Sequence, residues 1–326
     1  MFKKKKPFPK YEFYNSIVDE LGIESSVKKA FGGQSEKMFV RLDSDYLEDF
    51  FKEASGGDTS YVTYLDDVLP EFFTTKKPPV KAVSLMMKHY DGNCKYGYME
   101  DMGSRVANLL QIPVVYNKTF KEGGINYLLS IDYMKYDSNL RYGTLEGDYF
   151  KAPYDSHASY TLNDWFNFFD TKVLLDPETG KVLNDPNRMS LFRSFVPSYF
   201  FRKYIIEDPD FDLQNMCVIY NRQDNRCTFG PNYDMERAFV KERDNYAFDF
   251  ALERDIKLAY ELCPDIIRPL MKRITHVHNK SLINNELLSN ISAPITKRKI
   301  CNRLKSNIEA VAKAHYIVRQ CMQEGM

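Results

Sequence analysis

The sequence predicts an α+β protein of two lobes, β-rich first and mainly helical after. Three observations carry this. Up to about residue 134, short runs of alternating apolar residues are punctuated by glycine pairs at 32–33, 56–57 and 123–124. From about residue 136, apolar residues recur at helical spacing through long segments. The chain has 326 residues, 44 % of them hydrophobic and 14 % aromatic, which is enough to bury two cores and excludes a disordered chain. The expected lobes are residues 1–134 and 135–326.

Charge and cysteine usage narrow the classes of function. Lys+Arg and Asp+Glu are both 45, so bulk attraction to nucleic acid is not expected. Residues 1–10, MFKKKKPFPK, form a basic tail with no apolar segment after the lysines. Neither a signal peptide nor a membrane anchor is expected there, and the scattered cysteines lead to the expectation of reduced thiols in a cytoplasm. The six cysteines include no CxxC pair, so neither a zinc site nor a disulfide framework is signalled. His276 and His278 sit in what reads as a helix end and are taken as solvated or capping residues. The basic run at 296–305 reads as the solvated face of the last helix.

Along the chain, Tyr11–Leu21 reads as a short helix, and "AFGGQSEKMFVRL" (30–42) as strand, glycine turn and strand. Asp43–Ala54 reads as helical, and 55–65 as a second glycine turn entering an extended run. "VKAVSLMMKHY" (80–90) is a strand with Val83, Leu85 and Met87 on one face and Ala82, Ser84, Met86 and Lys88 on the other. "GYMEDMGSRVANLLQ" (97–111) is an amphipathic helix, and the segment after it makes two strands around Gly123-Gly124. The second lobe begins with the helices "YTLNDWFNFFDTKVLL" and "MSLFRSFVPSYFFRKYIIE". A hairpin follows, Met216–Tyr220 with Cys227–Phe229, and then three more helices.

A β-rich lobe with one helix followed by a helical lobe is the outline of a protein-kinase-like fold. Phosphoryl transfer asks mostly for positioning and neutralisation of charge, so a small set of side chains suffices. One Asp orients or deprotonates the acceptor hydroxyl, and an Asn five residues later joins a second Asp on Mg²⁺. A strand Lys braced by a helix Glu meets the phosphates. In "DPDFDLQNMCVIY" (208–220), Asp210 and Asn215 have the required step, and Asp234 in "FGPNYDMERAF" follows the hairpin. Lys88 and Glu100 fit the brace, with Lys81 as the rival lysine. Gly32-Gly33 is the expected phosphate loop, with Gly56-Gly57 as the rival, and paired glycines also make ordinary turns.

These motifs resemble those of the HipA-like serine/threonine kinases, the toxin kinases of bacterial toxin–antitoxin systems and their relatives. "GYMEDMGSRVANLLQIPVVY" looks like the family helix that opens with the lysine-pairing Glu, here Glu100. "YLLSIDYM" is similar to the strand and hinge that hold adenine, which implies contacts at Ile131, Asp132 and Tyr133. "DFDLQNMCVIY" and "FGPNYDMERAF" resemble the catalytic and metal loops. The resemblance covers roughly residues 80 to 240. It implies ATP and Mg²⁺ as cofactors, a protein substrate, an antitoxin-like regulatory partner, and an autophosphorylation site in the glycine loop, for which Ser35 is the candidate. One departure stands out: Asp212 occupies the position where the family keeps a His. A catalytically weak pseudokinase that binds nucleotide or a partner, and a small-molecule or lipid kinase, are the alternatives.

Overall fold

The computed structural model describes residues 12–13, 37–41, 84–90, 95–115, 117–122, 125–131, 140–145, 160–171, 179–182, 185–239, 245–289 and 294–324. By its contacts the chain divides into two units: Met1–Gly97 with Val115–Ser138, and Tyr98–Val114 with Asn139–Met326.

The first unit holds a five-stranded sheet in the order β1-β2-β3-β5-β4. Its strands are β1 (Glu12–Phe13), β2 (Lys37–Arg41), β3 (Ser84–Tyr90), β4 (Asn117–Glu122) and β5 (Ile125–Ile131). Every neighbouring pair is antiparallel. The apolar alternation of 84–90 earns β3 the central place, flanked by partners on both sides. Register sets Lys88 opposite Lys37 on one side and Leu128 on the other. At the β4–β5 end, Ser130 Oγ donates to Asn117 Oδ1, and both residues are buried. That pairing satisfies polar atoms that burial would otherwise penalise.

One expectation is corrected in this sheet. The helix expected over Tyr11–Leu21 is strand at Glu12–Phe13, which pairs with Arg41 and Val40. Aromatic residues suit a pleated surface, and a ladder partner outweighs weak helix propensity. The rest of that segment lies outside the described residues, as do Gly32, Gly33, Ser35, Gly56, Gly57, Lys81, Asp132, Tyr133 and the segment 43–54.

The second unit begins with most of α1 (Lys95–Leu109). Met99, Met102, Val106 and Leu110 repeat at three- and four-residue steps and are all buried. Then come β6 (Leu140–Thr144), α2 (Leu162–Thr171), α3 (Asp185–Phe200), β7 (Cys217–Asn221), β8 (Arg226–Phe229), α4 (Asn245–Leu262), α5 (Pro264–Asn279) and α6 (Pro294–Glu324). Thr161 and Asp164 cap α2 reciprocally: Thr161 N donates to Asp164 Oδ2 at 2.8 Å, and Asp164 N donates to Thr161 Oγ1 at 3.2 Å. The core is aromatic. Trp165 of α2 packs on Phe195 of α3 with ring centroids 5.0 Å apart.

The expected hairpin is present as β7 and β8, and a third strand joins it. β6 pairs antiparallel with β7, with Gly143 opposite Val218. β6 carries little local signal, because LRYGT is short and contains a glycine, and its partner lies more than seventy residues away. His276 and His278 lie in the last turn of α5, where Lys280 N donates to the His276 carbonyl.

Candidate functional site

The site is built at the end of α3. The helix carries Pro197 and runs on into a π-turn, Phe201–Ile205, closed by Ile206 N donating to the Phe201 carbonyl at 3.0 Å. Such wide turns recur at functional sites. Arg202 lies in this turn and is fully buried. Its Nε donates to Asp208 Oδ2 at 2.8 Å, and its Nη2 donates to the same oxygen. Its Nη1 donates to the Tyr233 carbonyl at 2.8 Å, and Nη2 also reaches the Asp234 carbonyl at 3.1 Å. A single guanidinium therefore ties the loop at 208–216 to the loop at 230–239. The rigid fork of donors makes arginine suited to this.

The first loop follows from its alternation of Asp and Phe. Phe211 turns inward, stacks on Phe195 at 5.6 Å, and lies under the Arg202 guanidinium at 5.0 Å. The acids on either side are left partly exposed. Asp208 uses its second oxygen to accept from Asp210 N at 3.0 Å, which shapes the turn around Pro209. Asn215 Nδ2 donates to the Asp210 carbonyl at 2.9 Å. With its amide nitrogen used there, what Asn215 can offer a cation is Oδ1. Asp212 caps the short 3₁₀ turn Leu213–Asn215: its Oδ1 accepts from Gln214 N at 3.1 Å and Asn215 N at 3.3 Å. Asp212 is thus a structural cap of the loop.

The second loop is set by the hairpin. Gly230 N donates to the Cys217 carbonyl at 2.8 Å, and a Cβ at Gly230 would lie 2.9 Å from Cys217 Sγ. Asn232 is buried, and both its backbone N and its Nδ2 donate to the Pro113 carbonyl, at 2.9 and 2.8 Å. This docks the loop on the segment that leaves α1. Asp234 follows with φ of 56°, a left-handed conformation that Asp tolerates better than most residues. From behind, α6 supports both loops. Arg303 Nη2 donates to Glu207, Arg303 Nη1 to the Phe239 carbonyl at 3.3 Å, and Asn307 Nδ2 to Glu207 Oε1 at 2.7 Å. Arg303 therefore leaves the solvated face expected of the basic run, while Arg298, Lys299 and Lys305 keep to it.

Carboxylate oxygens of Glu100, Asp234 and Glu236 lie within 4.8 Å of one another. Glu100 is buried in the first turns of α1. Three hard oxygen donors at that spacing suit a divalent cation such as Mg²⁺. Beside the first loop, Arg237 Nη1 donates to Asp210 Oδ1 at 3.1 Å. Burial pushes the Asp208 carboxyl up, against the pull of Arg202. Burial also raises the Asp212 carboxyl, and the neighbouring charge of Asp210 adds to that rise.

Asp210 and Asn215 are joined directly, and Asp234 is joined to their loop through Arg202. Glu100 is brought beside Asp234. Lys88 is placed by register in β3, and Ile131 ends β5. Sequence reasoning missed Arg202, Glu236 and Arg237. Arg202 carried a signal, a charge enclosed by Phe200, Phe201, Tyr204 and Ile205 in an apolar helix; a charge there needs a buried partner.

Among solved structures, the chain is similar to the crystal structure of the Helicobacter pylori proinflammatory kinase CtkA. The TM-score is 0.51 and the identity 12 %, over 90 % of this chain and 95 % of that one. It is also similar to HipA in the Shewanella oneidensis MR-1 toxin–antitoxin complex with HipB and its operator DNA. There the TM-score is 0.44 and the identity 11 %, over 72 % of this chain and 60 % of that one. No protein-family model matches the sequence, and no curated protein matches it. The likeness to CtkA shows a kinase-like fold, as the motif resemblance implied. Among the described residues, no helix is long and apolar enough to cross a membrane.

Proposed function

We propose that this chain is an ATP- and Mg²⁺-dependent phosphotransferase, a HipA-like protein serine/threonine kinase. The observation that supports this best is the Arg202 tie, which holds the Asp210 loop and the Asp234 loop together. Asp210 orients the acceptor hydroxyl and takes its proton. Asn215 and Asp234 hold Mg²⁺, which neutralises phosphate charge, and Glu236, whose carboxylate lies within 4.8 Å of that of Asp234, adds an oxygen donor. By the resemblance, Lys88 braced by Glu100 contacts the phosphates, Gly32-Gly33 or Gly56-Gly57 covers them, and Ile131–Tyr133 receives the adenine. Ser35 is the proposed autophosphorylation site, and an antitoxin-like protein the proposed regulator.

A role in binding without transfer is favoured by one observation: Arg237 already neutralises one oxygen of Asp210. Radiolabelled ATP separates the readings. Purified protein is incubated with Mg²⁺ and lysate, and label is followed on protein and in small-molecule extracts. Transfer to protein that falls by about a hundredfold or more in Asp210→Asn is expected. Equal labelling by wild type and Asp210→Asn would sink the enzyme reading, and label found only in extracts would favour a small-molecule kinase. The second neighbour's complex contains DNA, so the charge-based expectation of no direct nucleic-acid binding gains no support from it.

A further inference from the structure

Helices α4, α5 and α6 line an open cavity of about 1000 Å³ that includes none of the residues of the two loops. Its walls follow from helical spacing. On α4, Phe250, Arg254 and Lys257 lie on one face; on α5, Arg268 and Lys272 are one turn apart; on α6, His315, Arg319 and Met322 line up. The floor is set by Tyr260, whose hydroxyl hydrogen-bonds His315 Nε2 at 2.7 Å while the two rings stack at 5.9 Å.

The charge of this cavity departs from that of the chain. The sequence is neutral overall. The lining carries five cations, Arg254, Lys257, Arg268, Lys272 and Arg319, against the single carboxylate of Glu253. All five cations are exposed. Arg254 reaches the buried Asp255 at 3.3 Å, whereas the other four have no carboxylate partner among the described residues. Like charges gathered at this density raise a local positive potential that extends about 8 Å at physiological salt.

The cavity is also apolar in a particular way. Phe250 is 68 % exposed at its rim and Ile317 43 % exposed beside it, with Val318 and Met322 further in. Aliphatic and thioether side chains adapt to the aliphatic face of a peptide helix. Phe250, Tyr260 and His315 add aromatic faces to the same lining, and a bare phosphate has no use for either kind of surface. Cations around a mixed aromatic and aliphatic lining therefore suit an acidic ligand with an apolar face, and a helix with leucine-like side chains on one side and carboxylates on the flanks has that chemistry.

We propose that this groove docks an acidic amphipathic segment of a partner protein. This surface is distinct from the residues assigned to phosphotransfer and is independent of that reading. The test uses fluorescence anisotropy of the full chain with a labelled peptide of about 20 residues, built of Glu and Leu at helical spacing. Wild type is expected to bind it, and Lys257→Glu, Arg268→Glu and Lys272→Glu together are expected to weaken binding about tenfold or more. A control with the same change of charge, Arg298→Glu, Lys299→Glu and Lys305→Glu on the far part of α6, is expected to bind within about twofold of wild type. All six side chains are exposed, and circular dichroism checks that both variants fold. Absence of peptide binding by wild type overturns the proposal, as does equal loss in both variants. Displacement of the peptide by a single-stranded oligonucleotide or by inositol hexakisphosphate at lower concentration than by unlabelled peptide also overturns it, and assigns the groove to a polyanion.

Discussion

Arg202 and Asp208 are both fully buried, six residues apart, and the Arg202 Nε donates to Asp208 Oδ2 at 2.8 Å. The pair is satisfied on every side: by the Asp210 amide, by the carbonyls of Tyr233 and Asp234, and by the ring of Phe211. Removing one partner leaves the other charge buried and alone. Asp208→Ala and Arg202→Ala are each expected to lower unfolding free energy by about 3–5 kcal/mol, read from urea denaturation. Arg202→Lys is expected to recover little, because an ammonium reaches only part of the fork's partners. A loss below about 1 kcal/mol in both alanine variants would show that the two loops are held by other contacts.

Asp212 is expected to matter as a cap more than as a chemical group. Asp212→Ala removes the acceptor for two backbone amides and is expected to cost about 1 kcal/mol. Asp212→Asn keeps an acceptor and is expected to cost less. It also removes a negative charge beside Asp210, so Mg²⁺-dependent transfer is expected to be retained. Complete loss of transfer in Asp212→Asn, with the fold intact, would give the carboxylate a direct part in the reaction.

The three carboxylates Glu100, Asp234 and Glu236 make a prediction for metal binding. The Mg²⁺ concentration that half-saturates ATP-induced thermal stabilisation is expected to rise about tenfold or more in Asp234→Asn and to a smaller extent in Glu236→Gln. An unchanged Mg²⁺ requirement in Glu236→Gln would remove Glu236 from the set and leave Asp234 with Asn215.

Lys203 predicts a pH dependence of stability. Burial lowers its ammonium from 10.5 to about 8, with Asp255 opposing the fall. Between those values the unfolded chain binds more protons than the folded one, so this group's contribution makes stability rise with pH from about 8 upward. The slope is at most about 1.4 kcal/mol per pH unit. Tyr199 and Tyr204 are pushed well above their ordinary value by burial, so they oppose the rise near the top of the range. Urea unfolding at about pH 8 and about pH 9.5 is expected to show a smaller gain in Lys203→Met than in wild type. Equal gains would mean that Lys203 stays charged throughout.

Much of the outline was legible because it is written locally. The hairpin at 217–229 and the helices α1 to α6 follow from residue spacing, and the step from Asp210 to Asn215 is a feature of six consecutive residues. The structure adds a physical reason for that step, since the Asn215 amide closes on the Asp210 carbonyl. Strand β1 was misread and β6 missed for the opposite reason. Each is short, and each exists because a partner distant in sequence supplies its hydrogen bonds.

By itself, then, the sequence determined the α+β class, the order of most elements and the residues worth testing, because periodicity and spacing are local. Only the tertiary structure decided how the acids divide their work. Asp208 is consumed by a buried arginine, Asp212 by a backbone cap, and Asp234 stands with Glu100 and Glu236. Their identities are equivalent in the sequence. Burial, and the donors that the fold brings to each carboxylate, make them different.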